Sequence, residues 1–267
     1  MKSFANRAHL ALMLAAMSCA LVASQGSRAV PIDDNKATPG TLKGIQPAAP
    51  SVPLQDQDPF SNVTVMLGAE LQRGSWRKAC SIAAEALARG EQNVDALGVF
   101  GMCAALRNDQ AVANPALQRL RETEGPPYYA AMMEGILQLR AGAAEKANAT
   151  FASVLKSRPA DPLALYFVGE AQHQLKRDAQ AISSFKGVLK RWPDHAPALA
   201  SAARLMAVPK APPQELEEAV AMTERATAIE PMNLDYWKQM AELYERAGQH
   251  DRAAAVKLQW LSPPAVK

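Results

Sequence analysis

Residues 162–195, PLALYFVGEAQHQLKRDAQAISSFKGVLKRWPDH, carry the pattern that decides the fold. Leu165, Val168 and Gln172 fall on one face of a helix. The run breaks at Lys176-Arg177-Asp178, and Ala181, Phe185, Val188 and Leu189 then recur at helical spacing along a second helix. Trp192-Pro193-Asp194 closes the stretch, because proline cannot continue a helix. Two amphipathic helices joined by a short turn are therefore expected here.

The same unit recurs on both sides. An alanine column runs Ala79, Ala113, Ala147, Ala181, Ala219 and Ala253, in steps of 34, 34, 34, 38 and 34 residues. Alanine is common in this chain, but three other columns keep the same phase. Gly101, Gly135 and Gly169 form one, and Phe151 and Phe185, four residues after their alanines, form another. Pro159, Pro193 and Pro231 each follow their alanine by twelve residues. Self-similarity at a fixed period marks a repeat architecture. About six helix-turn-helix units are expected between residues 59 and 263, followed by a tail at 264–267. Unit five carries a four-residue insertion around Val208-Pro209-Lys210-Ala211-Pro212-Pro213. Unit one departs from the columns at Leu67 and Glu91, and unit two at Leu117 and Gly125. Pro115 is expected early in the second helix of unit two, with Asn114 as its cap.

Composition agrees with an all-α chain. Apolar residues make up 49% and aromatics only 6%, and the apolar share leans on alanine and leucine, both strong helix formers. Nineteen prolines must then sit mostly between helices.

At this point the chain resembles the tetratricopeptide repeat family. Gly169, Ala181, Phe185 and Pro193 match that family's small, alanine, aromatic and proline columns, as do Gly135, Ala147, Phe151 and Pro159. Trp237, Ala241, Tyr244, Gly248 and Ala253 match it in the last unit. The resemblance spans roughly residues 60–261 and implies a right-handed superhelical solenoid whose first helices line a concave groove. Ligands of such proteins lie along that groove. The groove columns here are Met102 and Leu106 of unit two, Tyr129, Met132, Ile136 and Arg140 of unit three, and Tyr166, Glu170 and His173 of unit four. The implied partner is a protein or peptide, and the implied role a non-catalytic adaptor. For each of these side chains, ordinary packing between helices is the competing reading.

In the same repeat frame Cys80 opens the second helix of unit one and Cys103 lies along the first helix of unit two, and these helices pack together in such solenoids. The pair is a candidate disulfide; otherwise they are two separate buried cysteines acting as small apolar residues.

The N-terminus reads as an export signal, residues 1–24. Lys2 and Arg7 precede the apolar stretch Ala8–Ala23. Cleavage after Val22-Ala23-Ser24 would start the mature chain at Gln25. Alternatively, Ala16-Met17-Ser18-Cys19 resembles a loose lipobox in which Cys19 becomes lipidated. Membrane attachment would run through that lipid or an uncleaved signal. Residues 25–58 are Pro-rich and without apolar periodicity, as a flexible linker is. A periplasmic or secreted protein is expected, or else an outer-membrane lipoprotein scaffolding a secretion or pilus system.

Other classes find little support. The 29 basic residues less the two in the signal leave 27 against 26 acidic ones. That near balance, with no basic run, argues against nucleic acid. No metal-binding, nucleophilic or phosphate-loop motif is present, so no catalytic residue, metal or cofactor is assigned. Leu258, Trp260 and Leu261 have no obvious capping helix after them, which makes the C-terminal end a candidate surface for self-association.

Overall fold

The computed structural model describes residues 62–122 and 128–261. The expected signal, lipidation at Cys19, linker and C-terminal tail lie outside the described residues. Among the described residues there are twelve α-helices and no strand. They fall into six consecutive pairs. The first helices are α1 (Asn62–Arg73), α3 (Val94–Leu106), α5 (Tyr128–Arg140), α7 (Pro162–Gln174), α9 (Ala196–Met206) and α11 (Leu234–Arg246). Their partners are α2 (Trp76–Ala88), α4 (Gln110–Glu122), α6 (Ala144–Ser157), α8 (Asp178–Arg191), α10 (Pro213–Ile229) and α12 (His250–Val256), the last continuing as a π-helical segment, Lys257–Leu261. Each pair packs on the next, which makes a helical solenoid of repeats.

Local chemistry explains the boundaries. The turn within a unit passes through one left-handed residue: Gly74, Asn108, Gly142, Lys176 and Gly248, with φ of 72°, 56°, 75°, 61° and 70°. At each, that residue's N–H bonds the carbonyl three back, and the next N–H bonds the carbonyl five back, as in Gly74 N to Leu71 O and Ser75 N to Glu70 O. This is the Schellman way of closing a helix end. Four first helices open on a side-chain cap. Asn93, Asp161, His195 and Asn233 accept from Ala96 N, Ala164 N, Ala198 N and Asp235 N.

Unit two corrects one expectation. Helix α4 starts at Gln110, so Pro115 lies inside it and Asn114 is not its cap. Asp109 plays that part, its Oδ1 accepting from Val112 N at 3.3 Å.

Packing within units three and four rests on the glycine and phenylalanine columns. A Cβ on Gly135 would sit 2.4 Å from the Phe151 ring, and one on Gly169 would sit 2.6 Å from the Phe185 ring. Phe151 and Phe185 are wholly buried. The bare glycine backbone is what lets the second helix lay its ring against the first. Unit one reverses the sizes at these two positions, with a buried Leu67 on the first helix and a buried Ala83 on the second.

Units one and two are also joined covalently. Cys80 of α2 and Cys103 of α3 form a disulfide, with Cα atoms 5.9 Å apart and a sequence separation of 23. In the chain-entropy account a loop of that size contributes about 3 kcal/mol.

Two predictions follow from this packing. Gly169→Ala is expected to destabilise the protein by about 1–3 kcal/mol, the usual cost of overpacking. Gly187→Ala, on the same unit, meets only Leu165 at 3.5 Å. It is expected to be neutral or stabilising by up to about 1 kcal/mol. Urea unfolding of the two variants distinguishes them. Separately, Cys80→Ala with Cys103→Ala is expected to lower stability by about 3 kcal/mol, with the earliest hydrogen exchange in α1–α4. Unchanged exchange there contradicts a stabilising bond.

Candidate functional site

The groove columns read from sequence do not form one surface. Met102, Met132 and Ile136 are wholly buried and pack between helices. The cause is a close approach of α3 and α5. A Cβ on Gly98 would fall 2.2 Å from the Tyr129 ring, and one on Gly101 would fall 2.5 Å from Met133 Sδ. Tyr129 fills that contact, and its hydroxyl donates to Asp95 Oδ1 at 2.8 Å. Asp95 Oδ2 accepts from Thr64 Oγ1 at 2.7 Å. Burial, then the Asp95 charge, raises the Tyr129 pKa well above its ordinary value. Tyr129 is thus a wedge joining units one, two and three. Leu106 is half-buried at the end of α3, and Arg140 is exposed at the end of α5.

Of the three unit-four residues, Tyr166 lines a cleft, and Glu170 and His173 are hydrogen-bonded to its walls. Helices α7, α9 and α11 together line a cleft of about 390 Å³, with Tyr166, Ser201, Arg204, Tyr236, Gln239 and Glu242 among its walls. Ser201 Oγ donates to Glu170 Oε1 at 3.1 Å. Burial raises the Glu170 pKa, and the hydroxyl of Ser201 and the charge of Arg204 offset part of that rise. Arg204 Nη1 lies 3.2 Å from His173 Nε2. A guanidinium only donates, so Nε2 accepts and Nδ1 carries the proton toward Asp178 Oδ1, 2.8 Å away. Gln239 Nε2 donates to Ala200 O and to Thr223 Oγ1, which pins α11 to α9 and α10. The cleft is a set of positioned donors and acceptors between aromatic walls. A few fixed polar groups between aromatic walls are the arrangement by which a cleft orients what it binds. Among the described residues no three His, Cys, Asp or Glu side chains converge as a metal site. No described helix is long and apolar enough to cross a membrane.

A second cavity, about 490 Å³, adjoins the first through Pro197 and Tyr236. One wall is the turn Gly74-Ser75-Trp76 with Arg77 and Lys78, and the other runs Ile229 to Asn233. His195 stands behind this contact, wholly buried. Its Nδ1 caps α9, accepting from Ala198 N at 3.2 Å, and its Nε2 has no hydrogen-bond partner among the described residues. Sequence reading passed over His195, because nothing in the chain marks an imidazole as a buried helix cap. It likewise missed Ser201, Tyr236 and Gln239, whose meeting depends on how units five and six pack.

The C-terminal end is partly covered. Trp260 stacks on Trp237 with centroids 4.3 Å apart and planes within 10°. Leu261 is half-buried beside them, and Leu258 is 77% exposed.

Residues 132–196 match the model of the tetratricopeptide repeat. No curated protein matches the chain. Among solved structures, PilF of Pseudomonas aeruginosa is similar at 17% identity and a TM-score of 0.50, over 74% of this chain and 87% of that one. MamA of Desulfovibrio magneticus RS-1 is similar at 19% identity and a TM-score of 0.47, over 62% of this chain and 93% of that one. The likeness to PilF is one of fold.

Burial pushes the His195 pKa down to about 4 from an ordinary 6.5. The folded state therefore favours the neutral ring. Its contribution is complete above pH 6.5 and is lost as pH falls toward 4, by about 3 kcal/mol in all. His195→Asn keeps a capping side chain and is expected to flatten that limb of the stability-pH curve. Equal slopes between pH 6.5 and 4 for the two proteins contradict this.

Proposed function

We propose that this tetratricopeptide-repeat protein is a non-catalytic adaptor that binds a segment of another protein in the cleft formed by α7, α9 and α11. The observation that carries the reading is the cleft itself. Three successive first helices turn half-buried polar groups and two tyrosines toward one space of about 390 Å³. Rigid helices presenting fixed anchors and fixed donors are what peptide recognition needs. Tyr166 and Tyr236 supply the aromatic walls, and Ser201, Arg204 and Gln239 supply polar contacts that would set the register of a bound chain.

The proposed compartment is the cell envelope of a bacterium. The signal-like first 24 residues support it, as does a Cys80–Cys103 disulfide, which belongs in an oxidising compartment. In that setting the protein would serve an assembly or secretion system as an adaptor. The lipobox-like Ala16-Met17-Ser18-Cys19 favours an alternative in which the same repeats are tethered to the outer membrane through lipid on Cys19. Intact mass of the envelope-purified protein separates a start at Gln25 from a lipidated Cys19.

A photo-crosslinking residue at Lys238, on the rim of the cleft, is expected to capture a protein partner in envelope extracts, and the same residue at Lys146, exposed on α6, is not. Arg204→Glu is expected to reduce that capture about tenfold or more while the far-UV spectrum stays helical. Equal capture from both positions, or capture indifferent to Arg204→Glu, defeats the cleft as the site.

A further inference from the structure

The turn between α1 and α2 lies against helices far away in sequence, at Phe167 of α7 and Pro197 of α9. A Cβ on Gly74 would fall 2.2 Å from Pro197 Cδ and 3.0 Å from His195 Nε2. Ser75 is only 6% exposed. The Trp76 ring lies 5.9 Å from Phe167 of α7. Phe167 in turn contacts Tyr166, and Tyr166 contacts His195, at 5.2 and 5.1 Å. A glycine, a serine and a tryptophan from unit one are thus seated on the first helices of units four and five. Their seat borders the open cleft, for Pro197 and Tyr236 belong to both cavities.

The equivalent turns show that this is not what the repeat itself requires. Gly142 and Gly248 hold the same left-handed conformation at the same place in units three and six, and a Cβ on either meets nothing within 4 Å. The Schellman turn is common to all three, while the close approach to another unit belongs to Gly74 alone among these glycines. The residue types fit the role. Glycine permits backbone contact with the proline ring, and tryptophan supplies a large rigid anchor.

We propose that Gly74-Ser75-Trp76 is a latch, an intrachain occupant of the first-helix face that extends the partner cleft, and that a longer ligand displaces it. Displacement would uncover Phe167, Pro197 and the Trp76 side of Tyr236, joining the two cavities into one groove. The ligand that competes best is then a turn or extended segment with a small residue followed by an aromatic one. The disulfide bears on the device as well. It ties α2, which Trp76 opens, to α3 and so keeps the released latch close to its seat. This inference rests on the cleft reading for its purpose, but the latch can be tested with no partner in hand.

The test compares Gly74→Ala with Gly142→Ala in the full chain. Both place a side chain at positive φ and carry the same local strain. Only the first also drives a methyl group into Pro197. Gly74→Ala is expected to raise hydrogen exchange of the Ala198, Leu199 and Ala200 amides at least tenfold over wild type, and Gly142→Ala is expected to leave them unchanged. A synthetic peptide of residues 71–79, LQRGSWRKA, is expected to bind Gly74→Ala at least tenfold more tightly than wild type. The same peptide with alanine in place of its tryptophan is expected to bind neither. If Gly74→Ala does not fold, Trp76→Ala removes the anchor without touching the turn and takes its place in both measurements. Equal exchange in α9 for the paired variants, or equal peptide binding to variant and wild type, overturns the latch. Failure of the crosslinking experiment at Lys238 would remove the cleft as partner site and leave these two measurements untouched.

Discussion

The molecule depends on a phenyl ring lying over a glycine. Phe151 over Gly135 and Phe185 over Gly169 set how closely the two helices of a unit approach. The same rings then position what comes next. Phe151 stacks on Phe167 of the following unit, with centroids 5.3 Å apart and planes within 17°. From Phe167 the contacts run outward to Trp76 and to Tyr166, and from Tyr166 to Phe185 and His195. Each buried ring of this size contributes about 1.5–3 kcal/mol by area alone. Because the rings touch, a shift at one glycine is passed to three units. The glycine column is therefore a positional constraint as much as a stabilising one.

Glycine is also used a second way, and the difference decides where a surface remains. Between units three and four the next first helix packs chiefly on the preceding second helix, α7 on α6. Between units two and three it packs chiefly on the preceding first helix, α5 on α3. Gly98 and Gly101 make that approach possible, one receiving Tyr129 and the other Met133. Face-to-face packing of first helices consumes the side on which a repeat of this kind would hold a ligand. The open polar cleft lies further along, where α7, α9 and α11 stand apart.

This is why the fold was legible in the chain and the site was legible only in part. Alanine, glycine, phenylalanine and proline recur because short-range packing inside a unit demands those residue types, so the period survives in the letters. The left-handed turn column recurs as faithfully, at residues 74, 108, 142 and 176, but it is filled by Gly, Asn, Gly and Lys. Its requirement is on the backbone, and no residue type advertises it. Met102, Met132 and Ile136 sit at the columns that line a groove in a regular array, and they are core here because α3 and α5 pack closely. Tyr166 sits at the same column and lines the cleft, while Glu170 and His173 reach its walls through Ser201 and Arg204. The repeat frame cannot tell these two cases apart, since the angle between units is set by contacts that cross units.

A linear array has two ends with nothing to pack on, and apolar surface left there invites association. Here the first and the last described unit each carry a tryptophan in ring contact. Trp260, on the π-helical extension of α12, lies flat on Trp237 and covers part of the last first helix. Trp76, at the start of α2, reaches Phe167 of unit four. The two solutions differ in what they hold. The C-terminal pair joins residues of a single unit, so it closes that unit without restraining any other. The N-terminal contact joins unit one to units four and five, so it also limits how far the intervening units open. The Trp76 contact therefore bears on the spacing of several units at once, where the Trp260 contact bears on one.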